Sequence, residues 1–131
     1  MVRGEFVGQV IPLKNGTGSD IDPYLLISLQ TDGTAKLAES EGVVNGTEAV
    51  IGVSRYNALL GDEGETPDGE IVDVAISGVV RVMADGDVNA GAPVYLSTEN
   101  AGKIRGSGDV GVGVSFEDGE AGDVVLVLLN P

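Results

Sequence analysis

The side chains that could do chemistry in this chain are oxygen donors and the lysines Lys14, Lys36 and Lys103; there is no histidine and no cysteine. Asp85-Gly86-Asp87-Val88-Asn89 sets oxygen ligands at alternate positions, as the opening of a calcium loop does. A complete EF-hand loop needs glycine at its sixth position and glutamate at its twelfth. Here those places hold Ala90 and Leu96, so an Asp/Gly-rich β-turn is the favoured reading. Asp62, Glu63, Glu65 and Asp68 crowd a second segment and could gather a hard cation, but the glycines between them leave the geometry unset. That stretch reads as a solvated acidic loop, or as the outward tip of an assembly. Asn15-Gly16-Thr17 and Asn45-Gly46-Thr47 both satisfy the glycosylation sequon, and Asn-Gly is equally a turn signal, which we take as the default.

Nucleophilic catalysis fares no better. A serine or threonine has no histidine to activate it, and no spacing supports a Ser-Lys pair with Lys36 or Lys103. Paired carboxylates for sugar hydrolysis usually sit beside aromatic platforms, and this chain has two phenylalanines, three tyrosines and no tryptophan. No glycine-rich loop is followed by Gly-Lys-Ser/Thr. The expectation is therefore no catalytic residues, no metal ligands and no cofactor.

The elements that carry these residues are said twice. Ala49-Val50-Ile51-Gly52-Val53-Ser54 returns as Asp109-Val110-Gly111-Val112-Gly113-Val114-Ser115, an offset of 61 from Ser54 to Ser115. Gly69-Glu70-Ile71-Val72-Asp73-Val74-Ala75-Ile76 returns from Gly122 to Leu129, an offset of 53. A looser echo pairs Thr34-Ala35-Lys36-Leu37 with Pro93-Val94-Tyr95-Leu96, an offset of 59. The halves run over about 34–76 and 93–129, and two such units in so short a chain indicate one β-domain duplicated over about 60 residues.

Further elements follow from pattern. Glu5 to Leu13 reads as one strand whose Pro12 asks for an edge position. Tyr24–Leu29 reads as a strand, turned at Asp32-Gly33 into the next one. Residues 38–46 read as a polar loop, and Tyr56–Leu60 as a helical turn at the start of a long irregular segment. Glu70–Met83 is the best strand, with Val72, Val74, Ile76, Val80 and Val82 on one face and a bulge or bend at Gly78. Val124–Leu129 is a continuous apolar run, expected to be buried on both faces. With 21 glycines and abundant valine, the fold class is all-β, a small β-barrel or β-sandwich of roughly eight to ten strands. Residues 1–20 form an N-terminal arm or edge strand, and 21–131 a single β-domain.

Composition excludes several function classes. The chain has 131 residues, 21 Asp plus Glu against 7 Lys plus Arg, and a net charge of −14. Mean hydropathy is nonetheless slightly positive, as when valines fill an interior and acids coat it. Such a surface repels nucleic acid and anionic membranes, so neither is expected as a partner. No stretch approaches the roughly 20 apolar residues that span a bilayer, and no leader pattern is visible. High acidity with few lysines also matches a protein from a high-salt organism, where the screening length falls to about 3 Å at molar salt.

The second half resembles a known family. Val74-Ala75-Ile76-Ser77-Gly78-Val79-Val80-Arg81-Val82 leads to Asp87-Val88-Asn89-Ala90-Gly91-Ala92-Pro93-Val94-Tyr95-Leu96. Then follow Gly102-Lys103-Ile104, Val112-Gly113-Val114-Ser115 and Ala121-Gly122-Asp123-Val124-Val125-Leu126-Val127-Leu128-Leu129. This order resembles the capsid cement (head decoration) proteins of tailed viruses, clearest over 70–129, looser over 34–54 and slight over 1–30. The resemblance implies a β-barrel-like decoration protein on the outer capsid surface of the virion. Its partners would be the major capsid protein and further copies of itself, most often as a trimer. Taken with the acidity, it implies a virus of a halophilic host. The 55–69 loop and the N-terminal arm are where the chain departs from such relatives.

The arm's Phe6, Val7, Val10 and Ile11 are the candidate protein-contact residues, able to add a strand to a neighbouring sheet edge. Their other reading is a first strand of the same domain. A surface-exposed adhesion or spike module is the runner-up function, and a carboxylate-based hydrolase a distant third.

Overall fold

The computed structural model describes residues 5–59 and 61–130. Two antiparallel sheets account for nearly all regular structure. The N-terminal sheet has the order β2 (Val10–Lys14), β6 (Ile71–Ala75), β5 (Gly52–Ser54), β3 (Leu26–Leu29), β4 (Ala35–Leu37). The C-terminal sheet has the order β1 (Phe6–Val7), β7 (Gly78–Met83), β11 (Val124–Leu129), β10 (Gly111–Ser115), β8 (Pro93–Leu96), β9 (Ile104–Arg105). The arrangement is a β-sandwich, and the barrel alternative is corrected. The outermost strands of the N-terminal sheet meet through a single bridge, Asn15 to Ala35, and β7 and β9 meet only where Ala84 bridges Ile104. Neither sheet closes by a continuous ladder.

The duplication extends further than the sequence echoes. Strand for strand, the order β2-β6-β5-β3-β4 repeats as β7-β11-β10-β8-β9. The peripheral hydrogen bonds repeat with it. Ile21 and Thr66 exchange bonds as Val88 and Gly119 do. The Tyr24 N–H donates to the Ser54 carbonyl (2.8 Å) as the Gly91 N–H does to that of Ser115 (2.7 Å). Tyr24 holds φ of 69°, the left-handed region that its counterpart Gly91 (79°) occupies without a side chain. Two of the three sequence echoes, β5 with β10 and β6 with β11, match this topology. The looser one does not: Pro93–Leu96 is the counterpart of Leu26–Leu29, and Ala35–Leu37 that of Ile104–Arg105.

Glu70–Met83 is not one strand. At Ile76-Ser77 the chain leaves the N-terminal sheet, and at Gly78 it enters the other. The N-terminal segment takes the same corner at Gly8-Gln9, pairing Phe6 with Val79 in one sheet and Ile11 with Val74 in the other. The segment read as Glu5 to Leu13 is thus an edge strand of both sheets. These two divisions, together with Ile104–Arg105, bring the strands to eleven. Pro12 lies opposite Asp73, between Ile11↔Val74 and Leu13↔Val72. Counting back from the Asn15–Glu70 bond, its nitrogen faces away from β6, where a missing N–H costs no ladder bond.

Each sheet has its own apolar residues. Ile21, Ile27, Ala35, Val72 and Val74 form the core of the N-terminal half. The larger core holds Val80, Val82, Val94, Leu96, Ile104, Val125 and Val127 of the C-terminal sheet, and also Leu26, Ala38, Val53 and Ala75 of the other. Leu26, Val53 and Ala75 are register partners in one row across β3, β5 and β6. That row is the seam between the halves.

Residues 38–46, read as a loop, contain a single-turn helix α1 (Ser40–Val44). Of the expected helical turn over 56–60, Ala58 and Leu59 form a turn, and Leu60 lies outside the described residues. Met1 to Gly4 of the arm also lie outside them.

Candidate functional site

Several of the candidate chemical groups are absorbed into structure. Asp85 is half-buried, its side chain 4% exposed, and it accepts hydrogen bonds from Arg105 Nε (3.0 Å), Asn100 Nδ2 (2.9 Å) and the Ser97 hydroxyl. Burial pulls its carboxyl upward, but these donors outweigh that and hold it below the usual aspartate range. Asp87 and Asn89 line the same open hollow as Asp85 and Arg105, but among the described residues no three acidic side chains gather as a metal set. In the acidic loop, Glu65 accepts from the Asp62 and Glu63 N–H groups (both 2.9 Å), and Asp68 accepts from the Gly18 N–H. Glu65's own backbone N–H, with those of Glu63 and Asp62, lowers its carboxyl.

Asn15 is fully buried; its amide donates to the Ser19 and Thr66 carbonyls and its oxygen accepts from Thr17. Asn45 is exposed at the end of α1. Lys36 binds Glu48 (2.9 Å) while Ser28 donates to the same carboxylate. The Glu48 hydrogen bond raises the lysine above its ordinary value.

Lys36 on β4 and Arg105 on β9 are counterparts in the two halves, each holding two acids: Glu48 and Glu39, Asp85 and Glu99. Asp85→Asn is expected to cost about 1–3 kcal/mol at neutral pH, since it leaves the half-buried Arg105 without its carboxylate. Asp85 sits below its unfolded value, so its stabilising effect is complete above the ordinary carboxyl range and fades as pH falls through the folded value. The melting temperatures of wild type and Asp85→Asn should therefore stay a fixed distance apart above about pH 5 and converge in stronger acid. A pH series of melts on both proteins reads this directly.

What the surface does offer is an apolar face. Along β11, Val125, Val127 and Leu129 point into the larger core; on the other side Leu126 is buried as well (1% exposed), while Leu128 is 44% exposed, so the expectation of burial on both sides holds except at Leu128. Register carries that face across the sheet: Leu128 lies opposite Val79 and Val114, Val79 opposite Phe6, and Val114 opposite Pro93. The row Phe6–Val79–Leu128–Val114–Pro93 thus crosses five strands without a charge. In the next row Arg81 pairs with Leu126, and Phe116 lies beside Leu126. On a chain of net −14 this uncharged row stands apart, bordered by Arg81 in the next row and by Arg105, which lies opposite Tyr95 on the same side of the sheet.

The four residues of the N-terminal segment divide. Phe6 is 80% exposed and Val10 is exposed, whereas Val7 and Ile11 are half-buried, packed against the two cores. Their strand lies at the free edge of both sheets, with one side unpaired. The outer row around Leu128 was missed from sequence because an unbroken apolar run gives no sign of which side lacks a cover. The signal available was the absence of any acid at Val124, Leu126 and Leu128 in so acidic a chain.

Residues 24–130 match the model of a family described as structural cement protein (E217 gp24/Pam3 gp6). No curated protein matches the sequence. Among solved structures, the crystal structure of the head fiber gp8.5 N base in bacteriophage phi29 is similar, with a TM-score of 0.56 at 15% identity, covering 93% of this chain and 95% of that chain. At that identity the likeness is one of fold.

Proposed function

The chain belongs to the structural cement protein family of phages, and from that premise we propose that it binds the major capsid protein on the outside of an assembled shell and stabilises the shell by protein–protein contacts. It is a capsid-associated structural protein of the virion, and its family is structural rather than enzymatic. The observation that carries the reading is the family match over 24–130, on a fold that leaves an apolar row of one sheet and a double edge strand open.

The N-terminal segment supplies the contact. Phe6 and Val10 present apolar side chains, Val7 and Ile11 hold the strand down, and its free edge accepts main-chain hydrogen bonds from a neighbouring strand. Residues 21–131 serve as the single β-domain on which that segment is carried. The chain works as a homo-oligomer, a trimer fitting best with sites where capsid subunits meet, and repeated contacts add avidity. The acid coat turns away nucleic acid and anionic membranes and suits a host at high salt.

Purified shells lacking the protein test this reading. Added wild type should co-sediment with them at a fixed ratio and raise their melting temperature. Phe6→Ser should weaken that binding by about tenfold or more while leaving the free protein folded. Shells that take up no protein at micromolar concentration would overturn the reading.

A further inference from the structure

The chain carries the same tripeptide twice, Asn15-Gly16-Thr17 and Asn45-Gly46-Thr47, and the fold gives the two copies opposite surroundings. An asparagine followed by glycine can react with its own main chain, because the missing Cβ lets the next amide nitrogen swing onto the side-chain carbonyl carbon. Asn15 has no freedom to do so. It is 0% exposed; its amide donates to the Ser19 (2.8 Å) and Thr66 (2.9 Å) carbonyls, and its oxygen accepts from the Thr17 N–H (3.0 Å) and hydroxyl (2.7 Å). Its main chain is tied as well: the N–H donates to the Glu70 carbonyl (2.8 Å) and the C=O accepts from the Gly69 N–H (2.9 Å). Asn45 is exposed, as are Gly46 and Thr47 after it, and its side-chain amide bonds none of the described residues.

We infer that Asn45 is a site of spontaneous deamidation, and that the fold protects Asn15 from the same reaction. The Gly46 nitrogen, its proton taken by hydroxide, forms a bond to Asn45 Cγ. The Cγ–Nδ2 bond breaks, and ammonia leaves with a proton from water, which returns the hydroxide. Water then opens the cyclic imide at either carbonyl, giving aspartate or isoaspartate. The step needs ψ of Asn45, now −4°, to turn, and the Gly46 N–H to leave the Val43 carbonyl (3.1 Å). That bond closes the end of a five-residue helix, which has little stability of its own, so the opening is local. Asn15 would have to leave the buried ladder first. The four Asp-Gly pairs are not alternatives: the carboxylates of Asp32, Asp68, Asp85 and Asp118 each accept a hydrogen bond, and an ionised carboxylate is a poor target for an amide nitrogen. The product adds a carboxylate to a chain of −14. Its isoaspartyl form adds a main-chain carbon between Val43, packed on the larger core, and Glu48, which holds Lys36.

Incubation of the full chain in mildly alkaline buffer, followed by peptide mass spectrometry, tests the inference. The peptide holding Asn45 should gain about 1 Da and split into aspartyl and isoaspartyl forms, about tenfold faster for each unit of pH, while the peptide holding Asn15 stays unchanged. In urea, where the fold is gone, both asparagines should react, at rates within about threefold of each other because the tripeptide is the same. Asn45→Gln, whose longer side chain has to close a larger ring, should leave that peptide's mass unchanged over the same time. An Asn45 that stays intact in the folded chain for as long as the urea-unfolded chain needs to react overturns the inference. So does an Asn15 that reacts as fast as Asn45 in the folded chain, or a gain in mass that persists in Asn45→Gln.

Discussion

Gly78→Ala is expected to lower the melting temperature by more than about 10 °C and to free the N-terminal strand. Gly78 has φ of 100°, and a Cβ there would lie 2.1 Å from the Phe6 carbonyl oxygen and 2.7 Å from the Gly8 nitrogen. The backbone strain alone is worth about 1–3 kcal/mol, and relieving the clash means pushing β1 off β7. A total near 3 kcal/mol or more, at about 3–5 °C per kcal/mol for a chain this long, gives the predicted drop. Gly69→Ala is the control. Its φ is 82°, but nothing lies within 4 Å of the added carbon, so it should cost about 1 kcal/mol. Limited proteolysis should cut near Gly8 in Gly78→Ala and not in Gly69→Ala. Equal melting temperatures for the two variants would show that the corner tolerates a side chain.

Leu26→Ala should destabilise by about 3 kcal/mol, within the range for leucine truncations in a packed core. Leu26 is 0% exposed and lies in the seam row, so the cavity opens between the halves. Its N–H donates to the Gly102 carbonyl (2.7 Å) and its carbonyl accepts from Ala38 (2.9 Å), so the backbone holds while the packing goes. Hydrogen exchange should therefore quicken on both sides, at Val53 and Ala75 and at Val82 and Val127. Leu59→Ala, the same truncation on an exposed loop, should stay within about 0.5 kcal/mol of wild type. A loss confined to the N-terminal sheet would mean that the halves are not joined through this row.

Much of the architecture was legible in the sequence, and the failures have physical causes. The echoes at Gly52-Val53-Ser54 and at Glu70 to Ile76 survive because each strand sits between two neighbours in its sheet, which restricts both to small and β-branched residues. The third echo went astray because Leu26–Leu29 and Pro93–Leu96 occupy the same place in opposite surroundings. Leu26 is sealed by the other half, while Pro93 is open, so their sequences have no reason to agree. The Glu70–Met83 corner was hidden by parity: Val74 and Val80 are an even number of residues apart and both point inward, but into different cores. Alternation reports which side is buried and says nothing about which sheet buries it. Gly78 was the visible mark of the break. Helix α1 escaped because five residues with a central glycine show no helical period. The candidate site was half visible: Phe6 and Val10 could be named, but the uncovered row became apparent only when the two halves were compared in three dimensions.

The strand that borders both sheets also sets the order of assembly. Residues 6–14 find their partners at 71–79, so neither ladder can zip until a strand about 65 residues further along has left the ribosome. Residues 6–14 are therefore made well before the strands that pin them. Such sequence-distant pairing places refolding in the slow range, milliseconds to seconds for all-β topologies of about this size. Until the corner at Gly78 forms, residues 6–14 stay available to other strands, and crowded synthesis risks exchange between neighbouring nascent chains.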